Sequence, residues 1–300
     1  MAATNNQNNL AVQETDSTVS VSVESAEQNN SEQIVQEHTL FAEPVFSVGQ
    51  FTVTNSLLSS WVALILIIVL MVTIGSKVKK IPGKLQNISE LIVSGAMNVA
   101  DQVTNDRKIT NKVFPLVFAI FVFILFNNWL GILPGVGSIG LIEQHGAERI
   151  FVPLLRGATA DINTTLALAI FAVLAANIFG ILAVGGWNYF NKFINVKALI
   201  SLPHDVRKNA AALVINPITF FVGLIEIVSE VAKVASLSFR LFGNVFAGEV
   251  LLASIAVIFA FALPIPFLFL EVMVGMIQAF IFSMLMLVYF TIASQEHEHE

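Results

Sequence analysis

ITFFVGLIEIVSEVAKVASLSFRLFGNVFAGEVLLASIAVIFAFAL, residues 218–263, runs for 46 positions without a proline, in a composition that suits helix throughout. At 1.5 Å per residue a single helix of that length reaches about 69 Å, more than twice the ~30 Å hydrocarbon core of a bilayer. Two arrangements fit: two spans with a turn near Lys233–Arg240, or one steeply tilted helix. The stretch KVASLSFR, 233–240, offers neither glycine nor proline for a turn, and a turn there would leave Lys233 and Arg240 on the outer side. One long tilted helix is therefore expected. LPIP, 263–266, then turns the chain, and 267–293 returns as the last span. Pro264 and Pro266 suit the end of one helix and the start of the next.

The rest of the chain agrees with a membrane protein. Of its 300 residues 56% are hydrophobic and 12% charged, with a mean hydropathy of +0.79, against about 25% charged in soluble proteins. Earlier spans are read at 56–75, 112–135 and 160–187, giving an all-α polytopic fold of five membrane helices whose last two form a long tilted hairpin. Four lysines at 77–84 follow the first span and place that end in the cytoplasm. Lys192, Lys197, Arg207 and Lys208 do the same after the third span. The N-terminus is thus expected outside and the C-terminus in the cytoplasm, with 134–160 an external loop carrying Glu143, His145, Glu148, Arg149 and Arg156.

Between the first two spans, KLQNISELIVSGAMNVADQV, 84–103, repeats apolar residues every three or four positions. It reads as an amphipathic helix, either lying at the membrane interface or packed as an ordinary surface helix. Residues 1–50 hold seven acidic residues and no Lys or Arg, and are expected to form a disordered acidic tail outside the membrane domain 51–300. They do not have the pattern of a secretory signal.

The absence of cysteine excludes disulfides, thiolate metal sites and a thiol nucleophile. There is no Walker A loop, so no nucleotide, cofactor or nucleic acid is expected on this chain. The terminal EHEHE reads as a solvated tail, and His38, His145 and His204 are scattered; no metal site is expected.

Chemistry is expected where charge enters the apolar runs, because an ionised side chain at mid-bilayer costs roughly 2.5–3.5 kcal/mol on insertion scales. Projected at 100° per residue, Glu226, Ser229, Lys233, Ser236, Arg240, Gly243, Asn244 and Ala247 share one helix face. Around Arg240 that face is made of small residues, which let another helix approach closely in lipid. Glu249, nine positions on, lies on the opposite side, toward the chain's own helices. On the last span Glu271, Gly275 and Gln278 form a second stripe. Glu226 then lies on the cytoplasmic side of Arg240 and Glu249 with Glu271 on the outer side, as carboxylates lining ion routes would. The competing arrangement pairs Arg240 internally with Glu226 or Glu271. Lys233 is read as snorkelling to the interface, and Asp161 and Asn163 stand at a helix start, where capping competes with a site role.

SLSFRLFGNVFAGE, 236–249, closely resembles the signature of the subunit a family of rotary F-type ATP synthases, the stator side of their membrane proton channel. GLIEIVSEVAKVASLSF (223–239), NNWLGILPG (127–135), ADINTTLALA (160–169) and IQAFIFSMLMLVYFTIAS (277–294) extend the resemblance over about 90–300. It implies that Arg240 is the stator arginine facing a carboxylate on each subunit of a rotating c-ring, with Asn244 and Gln278 as polar neighbours. Glu249 and Glu271 match the half-channel from outside, and Glu226 with Ser236 the half-channel to the cytoplasm. It further implies a proton-translocating role in ATP synthesis, a c-ring and b-type peripheral stalk as partners, and a bacterial inner membrane, an organelle inner membrane being the alternative. The chain departs from the pattern in having glutamate at both 249 and 271, where histidine is common at one, and Ala235 where proline is common. Two nearby carboxylates do not easily both ionise. A sodium-driven form of the same stator, a self-contained transporter and a purely structural anchor are the other readings.

Overall fold

The computed structural model describes residues 34–35, 39–76, 78–81, 83–145, 148–186, 189, 212–258 and 263–295. Six long helices carry the fold: α1 (Asn55–Gly75), α2 (Lys84–Thr104), α3 (Arg107–Ile132), α4 (Ile162–Val184), α5 (Ala212–Ile258) and α6 (Pro264–Gln295). All but α2 contain a stretch long and apolar enough to cross a membrane. The chain is therefore a multi-pass membrane protein.

The question of one helix or two over 218–263 resolves to one. α5 is continuous for 47 residues and begins at Ala212, before the expected start. Its apolar portion, Phe221–Ile258, has 38 residues, about 57 Å at helical rise. A rod of that length fits a ~30 Å core only when far from upright.

Local chemistry sets the ends. Thr54 caps α1 by accepting from Leu57 N at 3.4 Å, and Asp106 caps α3 by accepting from Lys108 N at 2.8 Å. Between α2 and α3 the chain turns through Asn105, in the left-handed region at φ 53°, which asparagine tolerates better than most residues. The Thr104 and Thr110 hydroxyls meet at 2.5 Å across that corner.

α6 forms the centre of the bundle, packed on α3, α4 and α5, with α2 against α3 and α6. Its buried Ala279, Phe282, Met286, Leu287 and Phe290 meet Ile124 of α3, Leu237, Leu241 and Val245 of α5, and Ala169, Ala172 and Ala176 of α4. The alanines matter because helices in lipid gain from close backbone approach. α2 leaves Leu85, Ile88, Leu91 and Ile92 exposed while Ala100 joins the core, as an amphipathic helix beside a bundle does.

One expectation needs correction at the end of the bundle where α1 and α4 begin and α3 stops. The disordered tail was expected to reach residue 50, but β2 (Pro44–Val48) and β3 (Phe51–Thr54) pair antiparallel. Valine, phenylalanine and threonine favour extended backbone, and Gly49 turns the hairpin at φ 67°. The connection 134–160 is structured as well. β4 (Pro134–Gly137) leads to β5 (Gly140–His145), which pairs antiparallel with β6 (Glu148–Pro153), and β1 (Ile34–Val35) pairs parallel with β6. A single 3-10 turn, Ala158–Ala160, then leads into α4. The residues 1–33, Lys77, the basic residues at 192–208, His38, His204 and the terminal EHEHE lie outside the described residues.

Candidate functional site

Four features of the hairpin end hold one cavity open. NNW on α3 locks that helix to α6: Asn128 donates to Gly275 O at 2.8 Å, and Trp129 donates to Val272 O at 3.2 Å. Asn128 also accepts from the Thr159 hydroxyl at 2.6 Å, which ties the 3-10 turn to the same helix. Gly131 and Gly157 touch backbone to backbone; a Cβ on Gly131 would lie 2.9 Å from Gly157 Cα. Residues 156–161 are consequently all buried, although they connect two spans.

The cavity measures about 690 Å³, and Asn128, Arg156, Val245, Glu249 and Glu271 are among its lining residues. At ~30 Å³ per water it has room for on the order of twenty waters. Glu249 and Glu271, brought together from separate helices, are thus the carboxylates of one chamber. Glu271 is 7% exposed and lies directly against Gly248, whose missing side chain leaves the space its carboxyl group occupies. Glu249 reaches the chamber differently, as one partner of an ion pair with Arg156 at 3.2 Å.

Arg156 is the residue that sequence reasoning missed. It was expected in an external loop, yet it is 5% exposed. Burial follows from what comes after it: Gly157, Ala158, Thr159 and Ala160 are small enough for the segment to enter the bundle, and that run of small residues was the available signal.

Arg240 stands elsewhere. It is exposed on α5, and its one side-chain hydrogen bond among the described residues goes to the Ser236 hydroxyl at 3.2 Å. No carboxylate forms an ion pair with it among the described residues, so neither internal pairing, with Glu226 or with Glu271, is present. Ser236, Asn244 and Ala247 share its exposed face, while Leu237, Leu241 and Val245 face inward. Gln278 is buried on α6, on the same inward stripe as Glu271 and Gly275.

The far side of α5 corrects the reading of Lys233. It does not snorkel outward: its ammonium meets Glu230 at 2.7 Å and Glu226 at 3.8 Å and lies 5.5 Å from the Tyr289 ring centroid. The spacing 226, 230, 233 puts all three on one helix face, a pattern visible in the sequence. Glu230 also accepts from Asn177 Nδ2 at 3.3 Å, and Tyr189 hydrogen-bonds Asn177 in turn. Glu230, Lys233, Asn177, Tyr189 and Tyr289 line a space of about 10 Å³, at the lower limit for holding even one water.

Asp161 is 3% exposed and caps α4. Its Oδ1 accepts from Asn163 N at 3.2 Å and Ala42 N at 3.3 Å, and its Oδ2 from the hydroxyls of Ser56 at 3.1 Å and Thr164 at 2.9 Å. These bonds fit the capping alternative. Asn163 itself is exposed beside it.

Comparison with known proteins gives consistent similarities. A family model described as the ATP synthase A chain matches residues 57–291. The ATP synthase subunit a of Syntrophobacter fumaroxidans is 31% identical over 266 residues, covering 87% of this chain and 93% of its own length. That of Mycobacterium bovis is 34% identical over 258 residues, covering 84% and 92%. That of Campylobacter concisus is 30% identical over 240 residues, covering 79% and 89%.

Proposed function

Because this chain belongs to the ATP synthase A chain family, the subunit a of the F-type membrane sector, we propose that it is the proton-conducting stator against which a c-ring turns. The observation that carries this reading is the placement of Arg240. A guanidinium in an apolar span sits on an exposed face of small and polar residues, without a carboxylate partner among the described residues. Such a charge calls for a partner from outside, and a c-ring carboxylate passing along α5 supplies one.

The carboxylates are offset along α5 as two half-channels require. Glu249 lies nine residues from Arg240, about 14 Å along the axis, and Glu226 lies 14 residues the other way, about 21 Å. Protons enter through the chamber of Glu249 and Glu271 and pass to a c-ring carboxylate, which in neutral form can face lipid. After rotation a protonated carboxylate reaches Arg240 from the other side. At ~4 Å and an effective dielectric of ~20 the arginine favours its ionised form by about 4 kcal/mol, about three pKa units, and the proton leaves toward Glu226 and the Lys233 cluster. The fixed charge also bars direct passage between the two routes. In this reading the hairpin end faces outward, the C-terminus is cytoplasmic, the exposed flanks of α1 and α2 face lipid and b-type stalk subunits, and the membrane is a bacterial inner membrane.

The test is ATP-driven acidification of inverted vesicles, comparing the native chain with Arg240→Ala at equal assembly and without added sodium. Pumping lost in the variant supports the reading. Equal pumping in both removes Arg240 from the mechanism. Silence in both, relieved in native vesicles by sodium with sodium uptake, keeps the stator and changes the ion.

A further inference from the structure

We propose that Arg156 is a positioning residue for the inlet: its guanidinium fixes the Glu249 carboxylate on the chamber wall and binds that wall to the N-terminal segment Thr39–Phe41. The inference rests on Glu249 belonging to the inlet.

The donors of Arg156 are divided between two jobs. Nε donates to both oxygens of Glu249, at 3.2 and 3.3 Å, and Nη2 donates to Oε2 at 3.3 Å. Nη2 also donates to Thr39 O at 2.8 Å, while Nη1 reaches Phe41 O at 3.2 Å and the Thr39 hydroxyl at 3.5 Å. The Phe246 ring, one turn before Glu249, lies 6.0 Å from the guanidinium carbon. The backbone N–H of Arg156 is bound as well, to Ser59 Oγ at 3.1 Å. Neither the main chain nor the side chain is left a choice of place.

The two chamber carboxylates therefore differ in kind. Glu271 makes no side-chain hydrogen bond to the described residues and is placed by the gap at Gly248. Glu249 is oriented by several bonds from a planar fork that matches carboxylate geometry, as lysine would not. A buried guanidinium needs its carboxylate, and removing either partner leaves a charge uncompensated. The segment Thr39–Phe41 is held across the same place by Ala42 N donating to Asp161 and by Ile162 N donating to Leu40 O at 3.5 Å. The strap and the inlet carboxylate thus share one anchor.

The experiment measures passive proton conductance of vesicles carrying the full membrane sector, stripped of the catalytic sector, at equal levels of this chain. Arg156→Gln is expected to lower conductance by about tenfold, within the range of couplings between contacting groups. Arg156→Lys, which keeps the charge but not the fork, should recover part of it. The double variant Arg156→Gln with Glu249→Gln should conduct no less than Glu249→Gln alone, since Arg156 acts through Glu249. Native conductance in Arg156→Gln, with conductance in Glu249→Gln reduced but measurable, overturns this inference and leaves the proposed function standing. Native conductance in Glu249→Gln overturns the inlet reading and this inference together. A purely structural arginine would show no rescue by lysine and a further loss in the double variant, which also overturns it. Should Arg156→Gln fail to accumulate, the double variant decides, because it buries neither charge alone; conductance below that of Glu249→Gln refutes the proposal.

Discussion

Replacing Asp161 by alanine and by asparagine separates the work of its two oxygens. Oδ1 faces two backbone N–H groups, Asn163 and Ala42, which cannot reverse. Oδ2 faces two hydroxyls, Ser56 and Thr164, which can rotate and accept. Alanine removes the cap, about 1 kcal/mol, and orphans a part-buried Ala42 N–H at about 1–3 kcal/mol. The sum is about 2–4 kcal/mol, or roughly 30- to 900-fold in the local opening equilibrium. Asparagine keeps an acceptor at Oδ1 and turns Nδ2 toward the two hydroxyls, so its cost should stay below about 1 kcal/mol, roughly fivefold. Amide hydrogen exchange at Ala42 in the assembled complex reads the difference directly. Protection should fall sharply in Asp161→Ala and little in Asp161→Asn. Equal loosening by both, or an Ala42 amide unchanged by alanine, refutes the division of labour.

Gly131→Ala should lower accumulation of the chain on immunoblots, because the added Cβ meets backbone at Gly157 with no flexible end to move; Gly95→Ala, with open space around it, should be neutral or slightly favourable to α2. Asn128→Leu should destabilise the complex by about 2 kcal/mol through loss of the interhelical bond to Gly275 O and an unpaired Thr159 hydroxyl. That loss appears as a lower detergent melting temperature, and adding Thr159→Val should cost little more.

The face around Arg240 was legible in the sequence because helical period converts spacing directly into direction, and a 46-residue run without proline fixes the helix. The same period brings Glu226, Glu230 and Lys233 together, and two carboxylates one and two turns away outcompete the interfacial habit of lysine. Arg156 was not legible in that way. Its partner is 93 positions distant, and no local rule brings a loop arginine to a helix glutamate; only the close approach of Gly131 to Gly157 does so. The strands at 44–54 and 134–153 were hidden for a related reason. Their pairing is short, and the segment leading into the first hairpin is tied to the helix ends through Asp161 and Arg156 rather than by strand propensity.

α1 is buried only in its first turns. Asn55 donates to Pro153 O at 3.3 Å, Ser56 to Asp161, and Ser59 accepts from Arg156 N. Beyond Ala63 none of its residues is buried. Mechanically this is a rod gripped most firmly at one end. A sideways pull anywhere along its free length acts with a lever arm, and the load converges on a clamp of three side-chain hydrogen bonds at residues 153–161. The same short segment carries the anchor of Glu249. Strain applied to this helix would thus reach the cavity of Glu249 and Glu271 without passing through the bundle core, and stiffness at that clamp becomes a requirement if, as proposed, this subunit stands still while its neighbour turns.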